Sequence, residues 1–396
     1  MRYLSWALKL LLLAAVVFFL FKAGSSLIVT IATFLLILGL LVFVHELGHF
    51  MVAKRAGMQV EEFGFGFPPR MFGFKKGETI YSVNWIPLGG FVKIAGEDGG
   101  ENDNPKAFSN KGFWARFAVL AAGVSMNVIF AWLIISVAMG IGIPTAIYEG
   151  ESLPASAHVE NSYVALTEIT PDSPADVAGL KAGDTVLKVN NEPIDTTEEL
   201  QNLTNQNLGK ETTYSIKRGD EVMDKVITPR AQPPEGQGPL GVSLSLVAKV
   251  SYPWYQALYW GLGATWNLVY STISAFVSVI GQWLSGHSVS SQLSGPVGIA
   301  VLTRDVAALG FIYLLQFTAI LSVNLAVINA VPFPALDGGR ILFLIIEKFR
   351  GKKLPATAEQ IANSVGFFLL IALMVFVTVR DFGRFDIIER LKHLLS

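Results

Sequence analysis

The sequence predicts an α-helical polytopic membrane protein with a four-span core and one inserted α/β domain. Three observations predict it. Of 396 residues, 52% are hydrophobic and 15% charged, against about 25% charged in ordinary soluble domains. Uncharged apolar runs recur at 27–44, 117–143 and 361–379, each near the ~20 residues that a helix needs to cross a bilayer. Between them, residues 158–230 have the composition of a soluble domain. A net charge of −1 with no long Lys/Arg run gives no nucleic-acid signal. The absence of cysteine excludes disulfides and thiolate-held zinc, so any metal must be held by carboxylates and the five histidines.

Residues 1–26 form an N-terminal apolar segment, Leu4 to Phe21 interrupted by Lys9. It reads as an extra span or interfacial helix, because no small-x-small cleavage site follows before the next apolar run begins. Residues 27–56 are the first core span, which runs without a break into His45-Glu46-Leu47-Gly48-His49 and ends at Lys54 and Arg55. On a helix, positions i and i+4 share a face, so His45 and His49 can offer two imidazole nitrogens to one metal. Glu46 is placed to take a proton from a water on that metal. At 1.5 Å per residue the motif lies roughly 14 Å inside the basic end. A polar turn at a helix end is the plainer reading, but ionisable groups at that depth cost about 2.5–3.5 kcal/mol each and are seldom kept without a use.

Residues 57–112 change character. Gly64-Phe65-Gly66-Phe67-Pro68-Pro69, the alternating run Thr79 to Trp85 and Gly89-Gly90-Phe91-Val92-Lys93-Ile94 read as β-hairpins lying against the membrane, followed by a polar loop from Asp98 to Pro105. An ordinary cytoplasmic loop domain is the plainer alternative. Residues 113–145 are the second core span, with Gly123 and Asn127 one turn apart; an Asn there reads equally as a helix–helix hydrogen bond. Residues 158–230 carry Ser173-Pro174-Ala175, Ala178-Gly179-Leu180-Lys181-Ala182-Gly183-Asp184 and the strand Val186 to Asn190. That series resembles a bacterial-type PDZ domain, a module that binds extended peptides by strand addition, with Gly238-Pro239-Leu240-Gly241-Val242 as a candidate carboxylate loop.

Residues 231–308 are read as a linker and a surface amphipathic segment. Were 252–284 to cross, the next span would be inverted and its polar motif would face the wrong side from His45. Residues 309–350 are the third core span, carrying Asn324 and then Asn329-Ala330-Val331-Pro332-Phe333-Pro334-Ala335-Leu336-Asp337-Gly338-Gly339. Prolines and glycines there break the backbone ladder, which membranes tolerate only where the freed groups line a protein or water cavity. The basic loop Lys348 to Lys353 places that end in the cytoplasm. Asp337 then lies roughly 16 Å deep, a depth similar to that of His45. Residues 361–380 are the fourth core span and 381–396 a tail.

HExxH in one span, Asn329-x-x-Pro332-x-Pro334-x-Leu336-Asp337-Gly338 in a later one and a PDZ-like segment between them resemble the bacterial site-2 proteases, intramembrane zinc metalloproteases of the RseP/RasP type. Leu293-Ser294-Gly295-Pro296 and Gly64-Phe65-Gly66 add to the likeness, which covers the chain from Leu27 to Phe385. The resemblance implies one zinc per chain held by His45, His49, Asp337 and a water, with Glu46 as general base. It implies Asn329, Asn127, Gly64, Gly66, Pro332 and Pro334 as substrate-binding positions, the hairpins pairing with an unwound substrate strand. Its implied partners are the lipid bilayer, single-pass membrane substrates such as anti-sigma factors or remnant signal peptides, and an upstream site-1 protease. Its implied place is the bacterial inner membrane, with the PDZ-like domain on the outer side as a size gate. Some members carry two PDZ domains, whereas this chain has room for one. Two rivals stand beside this reading. A non-cleaving PDZ-bearing scaffold is opposed by the intact Glu46 and Asp337. A zinc transporter is opposed by His158, His287 and His393 lying outside the core spans.

Overall fold

The structure, a computed structural model, describes residues 27–97, 104–147, 154, 156–219, 221–286 and 294–384. The N-terminal apolar segment, most of the 98–105 loop, Leu293 and the end of the tail lie outside them. The chain divides into two units, one of residues 1–135 with 262–396 and one of residues 136–261.

In the first unit, α1 (Leu27–Arg55) is a single helix of 29 residues. It ends in a Schellman closure: Met58 N–H donates to Ala53 O and Gly57 N–H to Lys54 O, with Gly57 left-handed. Next come β1 (Val60–Lys76) and β2 (Thr79–Ile94). The two strands double back on each other, so that Glu62, Phe63, Gly64 and Phe65 pair on one side with Lys93, Val92, Phe91 and Gly90 and on the other with Ile80, Tyr81, Ser82 and Val83. The segment 62–65 is therefore interior, and the segment after Gly89 is an outer strand. Phe67, Met71, Phe72, Phe74 and Trp85 are exposed.

Helix α2 (Phe113–Ile141) runs antiparallel to α1. Val119 lies at the level of His49, and Phe130 packs with Ile37 and Leu41. The two backbones touch at Gly48, where a Cβ would stand 2.4 Å from Ala122 O. Gly48→Ala is therefore expected to push the helices apart at a cost of about 1–3 kcal/mol, the range for overpacking a dense core. It should read as a lower thermal unfolding midpoint of the purified protein; an unchanged midpoint would show that the contact is not tight.

Residues 252–284, read from sequence as an amphipathic segment at the outer surface, contain α5, a continuous helix from Trp254 to Leu284. Shorter helices α3 and α4 belong to the second unit. After α5 come α6 (Pro296–Leu309), α7 (Phe311–Ala330), α8 (Asp337–Arg350) and α9 (Ala356–Arg384). Among the described residues, five helices, α1, α2, α5, α7 and α9, are long and apolar enough to cross a membrane. Leu314 packs on Ile37 and Leu41, and Asp337 reaches His45, so the broken pair α7–α8 runs parallel to α1. Helix α9 returns: Asn363 and Gly366 abut the 334–335 backbone, and Asp381 accepts from Gly295 N–H and Gly298 N–H at the start of α6, both at 2.8 Å. At the basic end, Arg116 pairs with Glu347 at 2.8 Å, Arg340 with Glu97, and Lys353 donates to Ser109 O. These links fasten α8 to α2 and to the end of β2.

The second unit is built on a seven-stranded sheet in the order β3-β9-β4-β5-β7-β8, with β6 beside β5. The strands are β3 (Ile143–Ile147), β4 (His158–Ile169), β5 (Thr185–Val189), β6 (Glu192–Pro193), β7 (Thr212–Arg218), β8 (Glu221–Ile227) and β9 (Val242–Ser251). The range 158–230 is thus too short for this domain: β3 and β9 lie outside it and both belong to the sheet. Residues 142–145, assigned from sequence to the second span, have already left the helix. Helix α3 (Pro174–Val177) is capped by Ser173, and α4 (Thr197–Gln206) by a Thr196–Glu199 capping box. Val164, Leu166, Val186, Leu200, Tyr214 and Ile216 form the core. A cleft of about 280 Å³ is lined by Leu200 and Thr204 of α4, Gly238, Leu240, and Val242 and Leu244 of β9. Strand β3 pairs only with Leu246–Val250 of β9, so beside the cleft β9 has an edge that β3 leaves open.

Candidate metal centre

Helical continuity through Arg55 puts His45 and His49 on one face of α1, with both imidazoles buried. The carboxylate comes from a backbone that cannot stay helical. Past Ala330 the chain turns through Pro332 and Pro334, Ala335 takes a positive φ of 74°, and Asn363 of α9 accepts the Ala335 N–H at 3.1 Å. Helix α8 then starts at Asp337, whose carboxylate, in the first turn, faces the two histidines.

His45 Nε2 and His49 Nε2 are 3.2 Å apart; Asp337 Oδ2 is 3.0 Å from the first and 3.3 Å from the second. A tetrahedral zinc site, with N and O ligands at about 2.0–2.1 Å, has ligand–ligand edges of roughly 3.3 Å. The three donors outline one face of such a tetrahedron. His49 Nδ1 lies 2.7 Å from Val119 O; a carbonyl only accepts, so Nδ1 carries the proton and Nε2 presents a lone pair. Gly123 supplies the space: a Cβ there would stand 2.3 Å from His49 Nε2 and 2.7 Å from His45 Nε2. Lone pairs and a carboxylate converging this closely repel one another unless a cation lies among them, so the donor set fits zinc. Among the described residues this is the one group of three or more His, Asp or Glu side chains so gathered.

Glu46 lies next to His45 on α1, and its Oε2 accepts Val92 N–H from the outer strand at 3.1 Å. The remaining sequence candidates separate. Asn127 is fully buried, its Nδ2 3.4 Å from His45 Nδ1. Asn329 is half-buried on the last turn of α7, just before the break. Pro332 is exposed, whereas Pro334 is wedged against α9, where a Cβ on Gly366 would meet Pro334 O at 2.4 Å. Gly64 lies in the interior segment, paired on both sides, and Gly66, at φ 79°, abuts the Asn84 and Ile86 carbonyls. Gly64, paired on both sides, has no free backbone edge. The glycines that do approach α1 are Gly89, against Val42, and Gly90, against Phe43. Sequence reading passed over them, together with the brace from Asn363; the polar Asn363 at the start of an apolar run was the available signal.

A polytopic membrane protein with two histidines and an aspartate converging beside a glutamate defines the class as membrane-embedded metallohydrolase. The comparisons narrow it. The model of peptidase family M50 matches residues 33–373. The relative CPE1693 of Clostridium perfringens is 36% identical over 348 residues, covering 88% of this chain and 96% of its own length. The zinc metalloprotease RasP of Geobacillus kaustophilus is 30% identical over 431 residues, covering 90% of this chain and 98% of its own length. The regulator of sigma-W protease RasP of Bacillus subtilis is 29% identical over 435 residues, with coverage of 90% and 98%. The chain belongs to peptidase family M50, the site-2 proteases; it is a zinc metalloprotease and a multi-pass membrane protein.

Proposed function

We propose that this protease hydrolyses peptide bonds inside the transmembrane segments of single-pass proteins, such as anti-sigma factors or remnant signal peptides already trimmed by a site-1 protease. The observation that carries the reading is the convergence of His45, His49 and Asp337 beside Glu46, where α1, itself long and apolar enough to span a bilayer, meets the start of α8. His45 Nε2, His49 Nε2 and Asp337 Oδ2 would hold the zinc, which would supply polarisation of the scissile carbonyl and a more acidic water. Glu46 would take a proton from the attacking water and pass it to the leaving amine. A transmembrane helix hides its peptide bonds in its own hydrogen bonds, so it must unwind to be cut. The outer strand from Gly89 to Ile94 offers the replacement: its Val92 N–H, held by Glu46 in the free protein, is where a substrate carbonyl pairs. Asn329, at the α7 break, is the other candidate for holding substrate backbone.

Four crossings follow from this reading: α1, α2, the broken α7–α8, and α9. Helix α6 stays at the level away from Arg55, with Gly295 at Asp381 and Ala307 on the cluster of Ile37 and Leu41. If α5 crossed fully, the next span would be inverted, and Asp337 would face the wrong side from His45, which it in fact meets. Helix α5 therefore enters the outer half of the bundle, packing Leu268 and Val269 near Ala131 and Val323, and does not cross. On this reading the basic loop after α8 lies in the cytoplasm and the PDZ-like domain on the outer side of the bacterial inner membrane. There its open β9 edge admits trimmed chain ends.

Cleavage of a model single-span substrate in liposomes tests the mechanism. Glu46→Gln is expected to keep stoichiometric zinc and to lose cleavage by at least about a hundredfold, the lower range for a general base. Equal cleavage by both proteins would overturn it.

A further inference from the structure

We infer that Asn127 is a positioning residue, which holds His45 in the tautomer that binds metal, and not a group that touches substrate. Its side chain is fully buried and turned to the back of the His45 ring. Its own backbone carbonyl accepts from Ser322 Oγ at 2.8 Å, which pins this turn of α2 to α7. Nothing of the side chain is left on the cavity surface for a peptide to reach.

The chemistry follows from the two ends of the ring. His45 Nε2 faces His49 and Asp337, so as a ligand it must present a lone pair there and carry its proton on Nδ1. Nδ1–H is then a donor and needs an acceptor. Asn127 Nδ2, 3.4 Å away, is itself a donor, whereas Asn127 Oδ1 is buried with no hydrogen-bond partner. The two ends of a carboxamide are nearly the same size, and the network decides which one faces a neighbour. With zinc bound, Oδ1 turns to His45 and accepts Nδ1–H, and the donor–donor contact disappears. His49 has the matching arrangement in Val119 O. Each histidine is thus fixed from behind by an oxygen of α2, which joins the second span to both ligands.

The inference rests on His45 being a zinc ligand, and the test keeps the two apart. Zinc affinity is measured by chelator competition on the full chain in detergent for wild type, His45→Ala, Asn127→Leu and Asn127→Asp, with thermal unfolding of each zinc-free form. Asn127→Leu keeps the volume and loses the acceptor; its affinity is expected to fall by about 10–100-fold, the range for removing the group behind a ligating histidine. Asn127→Asp keeps an acceptor oxygen and is expected to stay within a few-fold of wild type. Equal weakening in both Asn127 variants, or no weakening in either, overturns the inference. If Asn127→Leu does not fold, Asn127→Ala takes its place and the same comparison with Asn127→Asp decides. Full zinc in His45→Ala would instead overturn the ligand assignment itself.

Discussion

Asp337→Ala is expected to abolish zinc retention and cleavage together, while the helices stay in place. The carboxylate is the only anion among the three donors, and it is the one brought from a distant part of the chain. Structural zinc sites with four protein ligands are worth roughly 10–16 kcal/mol at pH 7, so one ligand accounts for about 3 kcal/mol, or more than a hundredfold in affinity. The protein should leave size-exclusion chromatography with substoichiometric metal, measured by elemental analysis. Helical content should be unchanged, because the N-cap of α8 is Leu336 and the Asp337 carboxylate is turned to the two histidines. Zinc retained at wild-type affinity would show that Asp337 is not a ligand, and the two histidines of α1 would then be a far less specific signature.

Gly123→Ala should produce a similar loss through a single added methyl. In isolation the change favours helix by about 1 kcal/mol. Here the new carbon would stand 2.3 Å from His49 Nε2 and 2.7 Å from both Nε2 and Cε1 of His45, well inside van der Waals contact. The imidazoles must swing away or α2 must retreat, and either opens the 3.0–3.3 Å triangle of donors. Zinc content and cleavage are expected to fall below a few per cent of wild type with helical circular dichroism undiminished. A variant that binds zinc normally would refute the close approach of α2 to the ligands.

Much of this arrangement was legible in the chain. Period and composition marked α1, α2, the broken third span and α9, because long uncharged runs have no other stable place to go than a bilayer. The spacing of His45 and His49 is a helical property that needs no tertiary information. Asp337 was legible because prolines and glycines inside a span demand a cavity. The edge of the β element was not: Gly64-Phe65-Gly66 and Gly89-Gly90 look alike in sequence, and only the doubled-back pairing buries the first between two neighbours and sets the second against α1. The limits of the inserted domain failed for a related reason, since β3 and β9 lie nearly a hundred residues apart and find each other only in the sheet.

The sequence alone determined that His45 and His49 share a helix face, which follows from local spacing, and the family resemblance it carries supplied Asp337 as the third donor. The tertiary structure decided which of the polar candidates stand against the donor cluster and which stand apart from it. Asn127 and Asn329 are the same residue type in similar apolar helices. Asn127 is sealed behind His45 and Asn329 lies at the break in α7, a difference set by how α2 and α7 pack and by nothing in their local sequence.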